Sequence, residues 1–476
     1  MSLFPAAPFA NGHTHIALVT DRVRTSSGSP MPSSDGFARI VAAASGGDAD
    51  AARVRDAYRP VLASIRDAMG EDPTHAVIAT AFTARSNEPV TRKMRALASA
   101  ILARAKANPP RLEVDQVVPP LPALETKGVA AGVIGQMTTA DYRGPDRRIV
   151  WDERGRPVEQ REHALEFVLK LPKAGAGRAP VVIFGHGLGA FKETLFQVSS
   201  ELGERGYATI GIDIGGHGSR MGEDGPIYDY FTFDELLATR DLFLQSIADE
   251  VQLARLVEGA LATLDVVPEG GDGVPDLAPE VVGYVGQSMG TVLGGTYLAV
   301  EPSIDAAVLN VPGGGFVPLL QLSPSLSGII EGFLPAGTTA SERLVLFSLG
   351  QMLVDDIDPA NFAAHVTVDP FPGHRPKDVL MQQAVDDEIV PGTATELLAH
   401  ALQVPQVQPS LAPVFGLATA SAPATGSALY QFRTGAPQGL NHALLLTRPG
   451  ALDQAAEFID SRVREGAARV ARHEPG

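Results

Sequence analysis

The sequence predicts an α/β protein, a doubly wound and mostly parallel sheet with a helical insertion late in the chain and a small accessory subdomain ahead of it. Three observations predict this. Short apolar runs suited to buried strands recur at 180–184, 207–212, 281–285, 304–309, 378–384 and 427–432. Helix-like stretches at about 194–205, 246–264, 291–300 and 452–464 alternate with them, and parallel strands require such crossovers. Between 311 and 375 the alternation lapses into an apolar stretch that opens with Gly313-Gly314-Gly315 and contains Phe316, Leu319, Leu320, Leu326 and Phe333.

The elements before this core follow in order. Residues 13–19 read as a strand, about 35–44 and 50–69 as helices, and 76–83 as a second strand. A long helix at about 88–107 is stopped by Asn108-Pro109-Pro110. These pieces form an accessory α+β region over 1–115, leaving 116–476 for the main domain. Within the polar segment 140–160 the sole tryptophan, Trp151, precedes a hairpin turn near Asp152-Glu153-Arg154-Gly155. Residues 165–171 alternate in polarity and suggest an antiparallel edge strand.

At 476 residues, 45% hydrophobic and 20% charged, the chain can bury a large core. A formal charge of −17 argues against nucleic acid or an anionic membrane as the main partner. No run of 18 apolar residues occurs, so no membrane-spanning helix is expected. Without cysteine the chain has no disulfide, thiolate metal site or thiol nucleophile. Met1-Ser2-Leu3-Phe4-Pro5 lacks the basic and long apolar segments of a signal peptide, while Phe4 to Phe9 leads straight into a strand. The expectation is an exported protein, secreted, periplasmic or surface-attached, whose leader is not part of this chain. Gly271-Asp272-Gly273-Val274-Pro275-Asp276 has the look of a calcium loop, but Pro268 and Gly270 stand where two earlier ligands belong. An exposed turn is expected there, with no metal and no cofactor.

Chemistry enters with Gly286-Gln287-Ser288-Met289-Gly290, which joins the strand run 281–285 to the small-residue helix 291–300. A serine on a sharp strand-to-helix turn needs small residues two positions either side so that strand and helix can approach, and Gly286 and Gly290 meet that demand. Upstream, the run 180–184 enters Gly185-His186-Gly187-Leu188-Gly189, whose glycines allow a backbone N–H to turn toward a carbonyl oxygen. Downstream, 378–384 ends in Asp386-Asp387-Glu388-Ile389-Val390-Pro391, and 427–432 is followed by Gly439-Leu440-Asn441-His442-Ala443. Of the histidines, His442 alone lies on the loop between the last strand run and the last helix; His365, His374 and His400 precede or flank the acid, and His473 lies in a charged tail.

These stretches, with Gly211-Ile212-Asp213 and Gly216-His217-Gly218-Ser219-Arg220, resemble the α/β-hydrolase superfamily, in particular bacterial lipases and esterases of the virulence-factor lipase type, in which a β-rich region precedes the hydrolase. The resemblance covers about 181 to the C-terminus and is faint before 120. It implies a triad in the order serine, acid, histidine. Ser288 would be the nucleophile and His442 the base, and the D-x-x-V-P spacing selects Asp387 as the acid. Asp386 and Glu388 would then face solvent or cap the helix beginning near Thr393. The oxyanion hole would be the backbone N–H groups of Leu188 and Met289, with His186 packed under its loop and His217 ordering its own. The insertion, about 311–375, would be a cap over the site. Serine is a poor nucleophile until a base takes its proton, which is why these residue types are needed together.

The expected function is hydrolysis of carboxylic esters, of small molecules or lipids, through an acyl-enzyme. A polyester hydrolase or an acyltransferase would use the same triad. An inactive secreted binding module would keep the fold without the reaction.

Overall fold

The computed structural model describes residues 7–42, 49–125, 127–173, 177–221, 235–332, 334–437 and 440–473. Two compact units divide the chain between Asn87 and Glu88. In the smaller, Phe9–Asn87, strands β1 (Thr14–Thr20) and β2 (Ala76–Thr83) pair antiparallel beside helices Asp35–Ala42 and Ala49–Asp67. Tyr58, Val61, Leu62 and Ile65 recur at helical spacing and meet Phe37, Ala76 and Ala79 in a small core of their own. This unit is α+β, so the β-rich module implied by the resemblance is not what these residues form: the apolar positions of Ala49–Asp67 follow a helical period.

The division also falls earlier than the expected 115. Helix Asn87–Ala107 buries Met94, Leu97, Ala98 and Ile101, one helical stripe, in the core of the larger unit. The strand after it joins that unit's sheet.

The larger unit contains β3 (Arg111–Val118), β4 (Val129–Asp141), β5 (Arg161–Pro172), β6 (Ala179–Gly185), β7 (Ala208–Ile212), β8 (Leu277–Gln287), β9 (Ala306–Asn310), β10 (Asp378–Ala384), β11 (Gln406–Gln408), β12 (Thr419–Ser421), β13 (Ala424–Thr425), β14 (Ala428–Phe432) and β15 (Arg469–Val470). The short β13 and β15 pair with each other, and the rest form one sheet in the order β12-β11-β14-β10-β9-β8-β6-β7-β5-β4-β3. From β12 to β7 the strands run parallel; β5, β4 and β3 continue antiparallel.

Alternate residues of each central strand serve opposite faces. In β6, Val181 and Ile183 join the core under helices Leu236–Glu258, Met289–Val300, Pro359–Thr367 and Gly392–Leu402, while Val182 and Phe184 join the core under Phe196–Glu204 and Pro449–Glu465. This mostly parallel sheet with helices on both faces, and with the serine turn at the end of a central strand, is the α/β-hydrolase fold. β5 is antiparallel as expected but is no edge strand, since it lies between β7 and β4. Its polar start alternates, yet Phe167 and Leu169 enter one core and Val168 the other, so both faces are covered.

The strand order reverses beside β6. From β6 the chain steps outward to β7 and then returns to β8 on the other side of β6. The connections leaving β6 and β8 therefore diverge, opening a crevice at the carboxyl ends of these strands, where ligands of open α/β sheets bind.

The insertion between β9 and β10 forms helices Phe316–Leu322, Ser327–Gly332 and Ala340–Val354 ahead of Pro359–Thr367. Thr339 and Glu342 close a reciprocal capping box at the start of the third helix. Its Leu344, Val345, Leu349 and Met352 are exposed. Phe333 lies outside the described residues. The 271–276 turn is tied by backbone N–H groups, with Asp272 and Gly273 donating to Asp265 and Val266 donating to Asp276. Among the described residues no helix is long and apolar enough to cross a membrane.

Candidate active site

Ser288 sits between β8 and helix Met289–Val300 at φ 54°, ψ −116°. A non-glycine residue in this region carries about 1–3 kcal/mol of strain and persists only where neighbours over-determine it. Here they do. A Cβ on Gly290 would come within 2.1 Å of the Gly185 carbonyl oxygen, and one on Gly286 within 2.6 Å of the Gly290 carbonyl oxygen. The Ser288 N–H donates to the Asn310 carbonyl at 3.0 Å, Thr291 N–H returns to the Ser288 carbonyl at 2.8 Å, and the Tyr284 hydroxyl donates to the Gly290 carbonyl at 2.6 Å. Under Tyr284 lies Glu250, wholly buried; burial first, and then the charge of Asp249, pushes its carboxyl up to about 8, which makes it a neutral acid at pH 7.

The loops after β10 and β14 bring the other two side chains. His442 Nε2 is 2.6 Å from Ser288 Oγ, and Nδ1 is 2.8 Å and 3.0 Å from the two carboxylate oxygens of Asp387. With the proton on Nδ1 held by the carboxylate, Nε2 is left to accept from the serine hydroxyl. Asp387 is itself oriented by N–H groups of Ile389 and Val390, at 2.8 Å and 3.0 Å from Oδ1. Ser288 and His442 are both buried.

The neighbouring carboxylates are not the solvent-facing or capping groups expected. Asp386 accepts from Thr434 N–H at 3.1 Å, Thr434 Oγ1 at 3.0 Å and Gly435 N–H at 3.3 Å, linking the loop of Asp387 to the loop that leads to His442. Partial burial opposes its ionisation, but these hydrogen bonds prevail and hold its carboxyl below the usual range. Glu388 has both carboxylate oxygens buried with no hydrogen-bond partner among the described residues, and its carbonyl accepts from Ser325 at 2.9 Å. The helix after them starts at Gly392 with no side-chain cap.

Across the crevice runs the loop after β6. His186 is wholly buried, its Nδ1 donating to the Gly187 carbonyl at 2.9 Å and its Nε2 accepting from Ile214 N–H at 3.0 Å. Burial, with His217 nearby, lowers its pKa and keeps it neutral, so it is a structural group of the loop. Lys192 Nζ, 2.9 Å from Asp213 Oδ2, ties this loop to the one after β7, and Ser219 donates to the same carboxylate. Among the described residues neither the Leu188 nor the Met289 N–H has an acceptor. Leu188, Ser288 and Met289 line one cavity of about 60 Å³ together with Phe243, Val292, Phe316, Leu319, Leu320, Leu326, Ile389 and Val390. Apart from the serine this lining is apolar, and the insertion supplies four of its side chains.

Asn310, Tyr284 and Asp386 all act on the site and none was legible in advance. Asn310 and Tyr284 act across strand and turn contacts that sequence spacing does not record, and Tyr284 reads as any core aromatic.

No protein-family model matches the chain, and no curated protein does. Among solved structures, acetyl xylan esterase 1 from Thermoanaerobacterium sp. JW/SL YS485 is similar at 15% identity and a TM-score of 0.43, over 75% of this chain and 92% of that one. The acetyl xylan esterase from Paenibacillus sp. R4 gives 15% and 0.41, over 71% and 88%. The acylaminoacyl peptidase of Pyrococcus horikoshii gives 14% and 0.38, over 66% and 41%.

Proposed function

We propose that the protein is a serine hydrolase that cleaves carboxylic esters through an acyl-enzyme. The observation that carries this reading is the unbroken hydrogen-bonded line from Asp387 through His442 to Ser288, ending beside an apolar pocket. In the reaction Ser288 Oγ attacks the ester carbonyl as His442 Nε2 takes its proton, and Asp387 stabilises the imidazolium. The N–H groups of Leu188 and Met289 receive the oxyanion that develops. Collapse expels the alcohol, to which His442 returns the proton. A water molecule, activated by the same imidazole, then releases the acid. Every proton movement and developing charge is met by these groups, so the reaction draws on no cofactor.

The cavity walls favour an apolar acyl group, and the insertion acts as the cap that completes them. The substrate class is a small-molecule or lipid ester with an uncharged acyl chain. A fluorophosphonate probe should label the protein at Ser288, and Ser288→Ala or His442→Ala should each lower turnover of aryl esters by about 10⁶-fold, because the two act as a unit. Retention of most activity by either folded variant would remove the assignment.

A further inference from the structure

Beside the loop after β7 lies a second cavity, of about 330 Å³, whose lining differs in kind from the apolar pocket at Ser288. Its polar side chains are Arg143, Arg147, Arg220 and His163, and among the described residues no acidic side chain lines it. This stands out in a chain of formal charge −17. The counter-charges sit behind the cavity wall. Asp141 and Asp249 are wholly buried; Arg143 Nε is 3.2 Å from Asp141 Oδ1, and Arg220 Nη2 is 2.8 Å from Asp249 Oδ2. Arg220 also donates through Nη1 to the Asp213 carbonyl at 2.9 Å. His163 Nε2 stands 3.4 Å from Asp249 Oδ1.

Buried anchors of this kind fix the plane of each guanidinium without using up its five N–H donors. Arg147 is half-exposed, and its one ion pair among the described residues is with the equally exposed Glu235, at 2.8 Å. A pair of that sort is worth little and is readily exchanged for another anion. Rigid guanidinium forks match the paired oxygens of a carboxylate or phosphate.

We propose that this cavity binds the oxyanion group of a small ligand, a carboxylate or a phosphate, between Arg143, Arg147 and Arg220. The Gly216-to-Arg220 stretch, which has no part in the ester chemistry, thereby acquires a role: it carries one guanidinium to the cavity and turns through Gly216 at φ 74°. Leu242 walls this cavity and the next residue, Phe243, walls the pocket at Ser288, so the two sites stand on adjoining sides of one helix. The anion site does not depend on the serine-hydrolase reading.

The test is isothermal titration of the full chain with inorganic phosphate and, separately, with butyrate, at ionic strength held constant with potassium chloride. Saturable binding of either is expected, and the ratio of the two affinities names the source, a phosphoryl group or a carboxylate. Arg147→Gln, at a half-exposed position, should weaken binding about 3- to 10-fold. Met221→Glu, also on an exposed side chain of the lining, should place a carboxylate among the guanidiniums and abolish binding. Ser288→Ala should bind as the wild type does, which separates this result from any failure of the hydrolase assignment. Heats no larger than those of the chloride control, or binding unchanged in both lining variants, would overturn the proposal.

Discussion

Around Ser288 nearly every group is fixed by a neighbour at close range, whereas the insertion between β9 and β10 reaches the same pocket with much of its apolar surface still in water. The first region is set by contacts such as that of Gly290 with the Gly185 carbonyl, where an added Cβ would stand only 2.1 Å from the oxygen, and by hydrogen bonds to Asn310, Tyr284 and Asp387. The second holds Phe316, Leu319, Leu320 and Leu326 against the cavity while Leu344, Val345, Leu349 and Met352 of the same segment stay exposed. The difference is between a region whose geometry matters to a fraction of an ångström and one whose chief requirement is to be apolar and about the right size.

Substitutions should separate the two. In the fixed region Asp387→Asn should lower kcat by about 10⁴-fold, because the imidazole loses the partner that sets its tautomer. Asp386→Asn, which loosens the link to Thr434 and Gly435, should cost about 10-fold; kcat for both variants decides, and a reversed order would move the acid one residue earlier. In the insertion, Leu326→Asp should act in proportion to the acyl chain, with kcat/KM falling about 4-fold more for each methylene the pocket no longer buries, at roughly 0.8 kcal/mol apiece. Equal loss on acetate and on longer esters would instead place the insertion in the rigid class.

The last effect is on stability and not on turnover, and it lies beneath the fixed region. Glu250 titrates near 8 in the folded chain against an ordinary 4.5, so between those values the native state holds a proton that the unfolded state has released. Stability of the wild type should therefore fall as pH rises from about 4.5 to about 8 and level off beyond. Glu250→Gln keeps the shape and removes the titration, so its Tm advantage over wild type should grow across that window and then stay constant. A difference independent of pH would mean that Glu250 is not the neutral acid.

What was legible in the sequence follows the same divide. Gly286 and Gly290 announce the elbow because a steric demand leaves a residue-type signature, while the D-x-x-V-P spacing nominates Asp387 and chain order His442, whose side chains the structure brings to Ser288 in one line. The parallel core was readable from its apolar runs. Pairing was not: β5 alternates like an edge strand because its first residues are polar, yet both its faces are covered further along. The boundary at Glu88 was missed because an amphipathic helix does not say which core it serves. The surroundings of Asp386 and Glu388 and the wall of the arginine cavity depend on residues far apart in the chain, such as Asp386 with Thr434, Glu388 with Ser325 and His163 with Asp249, beyond the reach of any local pattern.

The join between β9 and β10 carries one more implication. These strands pair directly, Ala306 with Asp378 through Asn310 with Gln382, and the register is complete without help from residues 316–357. Selection could therefore lengthen, shorten or replace those residues while the sheet and the three side chains at its edge stay in register. A segment exchanged between Pro312 and Asp358 would leave the pairing of β9 with β10 as it stands while re-facing the pocket at Ser288, four of whose walls it supplies.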